Sequence, residues 1–284
     1  MLRRSEWMIV AYFSYAAGCS LVMDVAPAVR QTTLALNGLV IAGLLVLDYA
    51  EGLRHKPLLT VMRDWYPLPL MLLAYKEMGW FAPRVHTYEL EQAWIVWDRI
   101  VLHQWRLQDA IEMLGPVLPS VLELSYSLVY AIAPFSVGWL YYRRRAARVD
   151  AFLFAFLIGI FVSYALFPFF PSEPPRTVFP NDDLPRVLTP FRRFNLGLLG
   201  SYGIHMSVFP SAHCSGAFAA AFAMRHVLPE EIWVWRFLLV LACSIATATV
   251  YGRYHYAVDA AAGFAVALIA WMAAWWPARK DGLR

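Results

Sequence analysis

Residues 151–169, AFLFAFLIGIFVSYALFPF, contain no charged side chain. A helix needs about 20 mostly apolar residues to cross the hydrocarbon core of a bilayer, and this stretch is close to that length. Other apolar stretches of this kind cover Trp7–Met23, Thr33–Tyr49, Trp65–Phe81, Val117–Tyr141, Ala212–Val227, Ile232–Val250 and Tyr256–Trp275. The sequence therefore predicts an all-α, polytopic membrane bundle with six to eight transmembrane helices.

The composition of the whole chain agrees with that prediction. Of its 284 residues, 60% are hydrophobic and only 15% are charged, whereas soluble domains have about 25% charged residues. So few charges cannot cover the surface of a water-soluble domain, which excludes an ordinary soluble enzyme and a disordered protein. The net charge of +4 comes without an aromatic–basic platform motif, so nucleic acid is not an expected partner.

Two segments differ from the regular spans. Trp65–Phe81 contains Pro67 and Pro69 and carries charges near its end, so it is predicted either to span the membrane or to lie on its surface. Tyr88–Met113 mixes acidic and basic residues with tryptophans at near-helical spacing. That pattern is typical of an amphipathic helix at the membrane interface.

The arginines predict the orientation. Arg143, Arg144, Arg145 and Arg148 form the densest basic cluster, in a short loop that the positive-inside rule assigns to the cytoplasm. Because successive spans alternate in direction, we expect loop 170–209 on the non-cytoplasmic side of a cell (inner) membrane and the carboxyl terminus in the cytoplasm. We expect four segments, which are amino-terminal spans (1–86), an interfacial region (87–114), a catalytic membrane core (115–276) and a cytoplasmic tail (277–284).

Three polar motifs fall on the predicted outer face. They are PSEPPR at residues 171–176, FPSAH at 209–213 and YGRYHYAVD at 251–259. Most of the basic residues fall in clusters that the predicted orientation assigns to the cytoplasm. The few charged residues of these motifs, collected with two histidines at one outer end of the spans, therefore predict a functional site there.

The third motif places His255 and Asp259 four residues apart at the start of an apolar helix. Residues at this spacing share one helix face, so the carboxylate can accept the Nδ1 proton and leave Nε2 with a free lone pair. A histidine oriented in this way can act as a base, a metal ligand or a nucleophile.

The other motifs supply groups that suit a phosphate. Ser211 is predicted to cap a helix whose first turn contains His213, and a helix amino terminus attracts anions. Arg176 and Arg253 offer guanidinium groups that bind phosphate through two hydrogen bonds. The helices that follow His213 and His255 are rich in alanine and glycine, so they can approach closely enough for both histidines to meet over one phosphorus atom.

Pro-Ser-Ala-His at 210–213, followed by His-Tyr-Ala-Val-Asp at 255–259, resembles the type 2 phosphatidic acid phosphatase superfamily. The Pro-Pro-Arg segment and the His-Tyr-x-x-Asp form most resemble its inositol phosphorylceramide synthase branch. The resemblance covers roughly 117–275 and implies a six-helix catalytic core that needs no metal or other cofactor.

The same resemblance implies a role for each residue of the motifs. It assigns His255 as the nucleophile that forms a phosphohistidine, Asp259 as its orienting partner and His213 as the acid for the leaving group. It assigns Arg176, Arg253 and the backbone near Ser211 to the phosphoryl oxygens.

Two positions depart from the family pattern. Phe169 stands where most members have a lysine, and Thr249 stands where they have an arginine. Arg253 is the candidate substitute for one of these cations. Candidates for the other are Lys76, Arg186, Arg192 and Arg193.

Several functions remain open at this stage. The leading hypothesis is an enzyme that acts on a lipid phosphate, with a lipid or polyol as acceptor in a phosphotransferase and water as acceptor in a phosphatase. A second class is a haem- or metal-binding membrane protein with His213 and His255 as ligands, and a third is a transporter or scaffold.

His205 is expected to be solvated in the outer loop. Glu123, an acid within a span, faces either the substrate cavity or a neighbouring helix.

Overall fold

The computed structural model describes residues 1–54, 56–82, 86–204, 206 and 208–281. This part of the chain is helical and contains no β-strand. His205 lies outside the described residues. The α-helices are α1 (Arg4–Val22), α2 (Pro27–Arg54), α3 (Pro57–Trp65), α4 (Pro67–Met78), α5 (Glu89–Arg99), α6 (Leu107–Glu112), α7 (Val117–Tyr142), α8 (Val149–Leu166), α9 (Pro175–Val178), α10 (Pro190–Tyr202), α11 (Ala212–Val227), α12 (Ile232–Tyr251) and α13 (Ala257–Asp281).

Five helical stretches among the described residues are long and apolar enough to cross a membrane. They are Pro27–Arg54, Val117–Tyr142, Ala146–Phe169, Ile232–Tyr251 and Ala257–Trp275. All five coincide with predicted spans. The prediction of an all-α, polytopic membrane protein is therefore confirmed.

The other three predicted spans fall short of that length or composition. Helix α1 has 19 residues but is not apolar enough. Helix α11 has 16 residues, so at 1.5 Å per residue it is about 24 Å long, whereas the hydrocarbon core is about 30 Å thick. Because α8, α12 and α13 surround α11, this short helix lies inside the bundle.

The predicted span Trp65–Phe81 is divided between two helices. Helix α3 ends at Trp65, and α4 begins at Pro67. A proline has no backbone N–H and its ring clashes with the preceding turn, which explains why one helix does not continue through this point. With 12 residues, α4 is too short to cross a bilayer on its own.

Buried ion pairs fix α3 against its neighbours. The Arg63 Nε donates to Glu6 Oε1 of α1 at 2.6 Å. Asp64 accepts from Arg3 Nη1 at 2.6 Å and from the Tyr141 hydroxyl of α7. Since α4 follows α3 after one residue, these contacts also determine where α4 lies.

Small residues let the central helices approach closely, as their spacing predicted. A Cβ atom added at Gly263 of α13 would lie 2.5 Å from the Ser211 carbonyl oxygen and 2.9 Å from Cys214 Cβ. Only glycine therefore fits where α13 crosses the start of α11. This close crossing brings the second and third motifs together.

The predicted interfacial segment, Tyr88–Met113, forms α5, a π-helical turn at Ile100–Gln104 and α6. Its acidic residues Glu91 and Asp98 are fully buried. Trp97 and Trp105 point outward, with exposed fractions of 63% and 74%. The segment therefore turns Glu91 and Asp98 toward the protein and Trp97 and Trp105 away from it.

Candidate active site

The start of α11 holds the second motif. The Ser211 hydroxyl accepts a hydrogen bond from the Cys214 N–H at 3.3 Å, which is the helix cap that the sequence predicted. The Ser211 N–H donates to the Asp259 carbonyl at 3.0 Å. These bonds tie the start of α11 to the first turn of α13 and place His213 beside the third motif.

The structure brings the two histidines together. His255 Nε2 lies 3.4 Å from His213 Nδ1. His213 stacks on Tyr126 of α7, with 4.9 Å between ring centroids and an interplanar angle of 13°. Tyr126 in turn stacks on Tyr254, at 4.1 Å and 19°. The aromatic stack restricts the plane of the His213 ring while leaving its edge toward His255.

Asp259 lies on the other side of His255. Its Oδ2 is 3.4 Å from His255 Nδ1 and also accepts the Tyr256 N–H at 2.8 Å. Asp259 is fully buried, and His255 is 6% exposed. The four-residue spacing thus places His255 Nδ1 on the side of Asp259 and Nε2 on the side of His213. At 3.4 Å, Nδ1 makes no hydrogen bond among the described residues, so transfer of its proton to Asp259 stays a prediction.

Burial lowers the pKa of His255 well below its usual range, and the nearby His213 and Arg176 lower it further. His255 is consequently neutral near pH 7, so one ring nitrogen keeps its lone pair. A neutral imidazole held between a carboxylate and a second histidine suits a nucleophile or a base.

Arg176 contributes the positive charge nearest to the histidines. It lines one cavity together with His213 and His255, which we call the polar cavity. Its backbone N–H donates to the Arg253 carbonyl at 3.2 Å, and its Nη1 lies 3.4 Å from the Tyr254 carbonyl oxygen. The first motif is thus attached to the third motif. The Arg176 guanidinium faces the space where an anion can bind.

Arg253 occupies a different place from Arg176. It is fully buried and pairs through Nη1 with Asp98 of α5. Its backbone has a φ of 61°, which is uncommon for a non-glycine residue. The Arg253 side chain does not line the polar cavity, and its Nε and Nη2 have no hydrogen-bond partner among the described residues. Its predicted role as a phosphate ligand stays a prediction.

Asp98 is a site residue that sequence reasoning missed. Besides pairing with Arg253, it accepts the Ala257 N–H at 2.7 Å. It therefore holds both sides of the turn that carries His255. The spacing of the sequence could have indicated that Asp98 faces the protein, because it shares one helical face with Glu91, Ile95 and Leu102. In the structure all four side chains are buried.

Replacing Asp98 by asparagine is expected to lower the free energy of unfolding by about 3–5 kcal/mol, because it leaves the buried Arg253 without its counter-charge. Chemical unfolding of the protein in detergent micelles measures this loss. Asp182→Asn is the matched control, since its 3.2 Å pair with Arg99 is exposed and exposed pairs contribute about 1 kcal/mol or less. Equal losses in both variants would show that the Asp98–Arg253 pair contributes no more to the free energy of unfolding than an exposed pair.

Glu123 faces a neighbouring helix, which decides between its two predicted interpretations. Its Oε1 accepts from Arg192 of α10 at 2.9 Å, and its Oε2 accepts from Asn195 at 2.8 Å and from the Tyr254 hydroxyl at 2.6 Å. This buried network attaches α10 to α7 and fixes the Tyr254 ring. Tyr254 supports both the aromatic stack under His213 and the Arg176 guanidinium, which lies 5.4 Å above its ring centroid.

Like Arg253, the four other candidate substitutes for the missing family cations do not line the polar cavity within the described part of the chain. Arg192 is engaged by Glu123, and Arg186 pairs with Asp109 at 3.1 Å. Arg193 is exposed, and the Lys76 ammonium lies 4.3 Å from the Tyr202 ring centroid. Thr249, at the position of the family arginine, is buried and its carbonyl oxygen accepts the His255 N–H at 3.0 Å.

The fold and the site define a class, that of polytopic helical membrane proteins with a buried two-histidine site and one adjoining arginine. Comparison with protein families gives a match to the PAP2 superfamily over residues 92–273. The chain belongs to the PAP2 superfamily, a family of phosphatases and phosphotransferases. No curated protein and no solved structure gives a significant match to it.

Proposed function

We propose that this protein is a membrane enzyme that transfers a phosphoryl group, or a phosphate with its headgroup, from a lipid phosphate through a phosphohistidine on His255. The observation that carries the proposal is the 3.4 Å approach of His255 Nε2 to His213 Nδ1 beside Arg176 in one cavity. This arrangement brings a nucleophile, an acid and a cation to one cavity. Membership of the PAP2 superfamily supports the same general activity.

In the first step, Arg176 and the N–H groups at the start of α11 bind the phosphoryl oxygens. The Nε2 lone pair of His255 attacks phosphorus, and the bond from phosphorus to the lipid oxygen breaks. His213, which takes up a proton as the anionic substrate binds beside it, donates that proton to the oxygen, so the lipid leaves as a neutral alcohol. Asp259 stabilises the positive charge that develops on the His255 ring.

In the second step, the acceptor hydroxyl attacks the phosphohistidine and gives its proton to His213. The bond from phosphorus to His255 Nε2 breaks, which restores both histidines. With water as the acceptor the product is a free phosphate, and with a lipid or polyol it is a new phosphate ester. The Pro-Pro-Arg and His-Tyr-x-x-Asp forms resemble the inositol phosphorylceramide synthase branch, and on that basis we favour transfer.

Product analysis tests the proposal. Purified protein is incubated with a lipid phosphate or a phosphodiester lipid, with and without a polyol or lipid alcohol. We expect a new phosphate ester that depends on the added acceptor. Release of free phosphate at the same rate with or without acceptor would instead favour a plain lipid phosphate phosphatase. Absence of both products, or equal amounts from a His213→Ala/His255→Ala double variant, would overturn the enzyme proposal.

We also propose that the site faces the non-cytoplasmic side of a cell membrane and that the carboxyl terminus is cytoplasmic. The support is the position of Arg143, Arg144 and Arg145, which join α7 to α8 at the end of α8 away from the site. Sealed right-side-out vesicles should then convert a short-chain substrate added to the outside without detergent. A requirement for detergent would indicate the opposite orientation.

A further inference from the structure

A second cavity adjoins the polar cavity inside the bundle, and we call it the apolar cavity. The two cavities share Tyr75, Ala212 and His213. Beyond these residues the apolar cavity is lined almost entirely by hydrocarbon side chains, among them Leu72, Val129, Ile160 and Ala217. A ligand whose phosphate contacts the two histidines therefore has an apolar space directly beside it.

Four helices enclose the apolar cavity. Helices α7, α8 and α11 belong to the region that matches the family, whereas α4 precedes that region. Along α8 the lining extends from Tyr164 to Phe156, which is about 12 Å at 1.5 Å per residue. The cavity is thus elongated along the helix axes, and its fourth wall comes from the amino-terminal part of the chain.

Contacts with α10 and with the residues that follow it hold α4 beside the site. The Tyr202 hydroxyl of α10 donates to the Leu72 carbonyl at 3.4 Å, and the Tyr75 hydroxyl accepts the Ile204 N–H at 3.1 Å. Tyr75 also stacks on Tyr202, with ring centroids 6.3 Å apart. Because Tyr75 lines both cavities, it marks the boundary between the polar and the apolar part of the site.

We propose that the apolar cavity holds a hydrocarbon chain of the lipid substrate, and that Met71 and Leu72 of α4 determine which chains are accepted. The inference rests on the proposed function, which places the substrate phosphate at His213 and His255. The position of this cavity directly beside the polar cavity supports this occupant, because a lipid phosphate joins an anionic group to an apolar chain in one molecule. The amino-terminal segment then contributes to substrate selection although it lies outside the family region.

A Leu72→Trp variant tests the proposal by filling the apolar cavity. Turnover is measured with lipid phosphates of one headgroup and increasing chain length, and with glycerol phosphate, which has no chain. We expect kcat/KM for the long-chain substrates to fall about tenfold or more, since a pocket discriminates strongly against excess volume. The value for glycerol phosphate should stay within about twofold, because only the phosphate site is used.

Leu73→Trp is the matched control. Leu73 is the next residue on α4, is half-buried, and does not line either of the two cavities. Its substitution introduces the same side chain into the same helix, so any general damage to α4 appears there as well. We expect its chain-length profile to follow that of the unmodified protein.

A second variant, Met71→Ala, widens the cavity and should shift the preferred substrate toward bulkier chains. An equal loss for all substrates in Leu72→Trp, together with an unchanged profile in Met71→Ala, would overturn the chain-site proposal. The proposed function would survive that result, provided the unmodified protein still turns over lipid phosphate through His213 and His255. If the unmodified protein does not turn over any lipid phosphate, the proposed function fails first.

Discussion

Replacing His255 with alanine should reduce turnover by at least about a hundredfold, because the variant has no nitrogen to form the phosphohistidine. A hundredfold is the lower end of the effect seen when only acid–base assistance is lost, and loss of a nucleophile should exceed it. The measurement is the rate of phosphate transfer per purified protein molecule, with folding checked separately by thermal unfolding. His103→Ala is a suitable control, since His103 is 42% exposed and pairs with Asp183 away from the polar cavity.

The geometry makes this a sharp test. Apart from His255 itself, His213 is the only described histidine that lines the polar cavity. Its ring is stacked on Tyr126. If His255→Ala kept more than about a hundredth of the original rate, transfer through a phosphohistidine on His255 would be wrong. A mechanism in which water attacks the lipid phosphate directly would then be the better explanation.

The second large effect is expected for His213→Ala. With alkyl leaving groups, which need a proton as they depart, the rate should fall by about a hundredfold to ten-thousandfold. With aryl phosphates, whose leaving groups are stable as anions, the loss should shrink. The measurement is the rate of leaving-group release in the first turnover for a series of phosphate esters whose leaving groups span several units of acidity.

The comparison between the two histidine variants separates their roles. His255→Ala should lose activity with every leaving group, since the nucleophile is needed each time. In the first turnover, before the phosphohistidine reacts with the acceptor, His213→Ala should approach the unmodified rate of leaving-group release as the leaving group becomes more acidic. An equal loss across the whole series in His213→Ala would show that His213 does not act as the acid for the leaving group.

Much of the fold follows from features that are local in the sequence. The charge-free run 151–169 predicts a buried span because apolar side chains cannot remain in water, and α8 lies there. The pairing of His255 with Asp259 was predictable because residues four apart share a helix face. The cap at Ser211 was predictable because a hydroxyl before an apolar helix can accept a free N–H group of its first turn.

Other features depend on contacts between distant parts of the chain. Asp98 and Arg253 are 155 residues apart, and no local pattern records that they pair. The same holds for Glu123, whose three partners come from α10 and from the turn that follows α12. Which of several cations lies beside the histidines was therefore open until the packing placed Arg176 in the polar cavity and Arg192 on Glu123.

The sequence by itself determined that this is a helical membrane protein and which residues form its two-histidine motifs, because apolar runs and helical spacing act within a few turns. Tertiary structure alone decided that α5 supplies Asp98 to the third motif and that α4 forms a wall of the apolar cavity. The physical reason is that periodicity reports which residues share a face of a helix. It does not report which other helix that face meets, since packing depends on the shape and charge of both surfaces together.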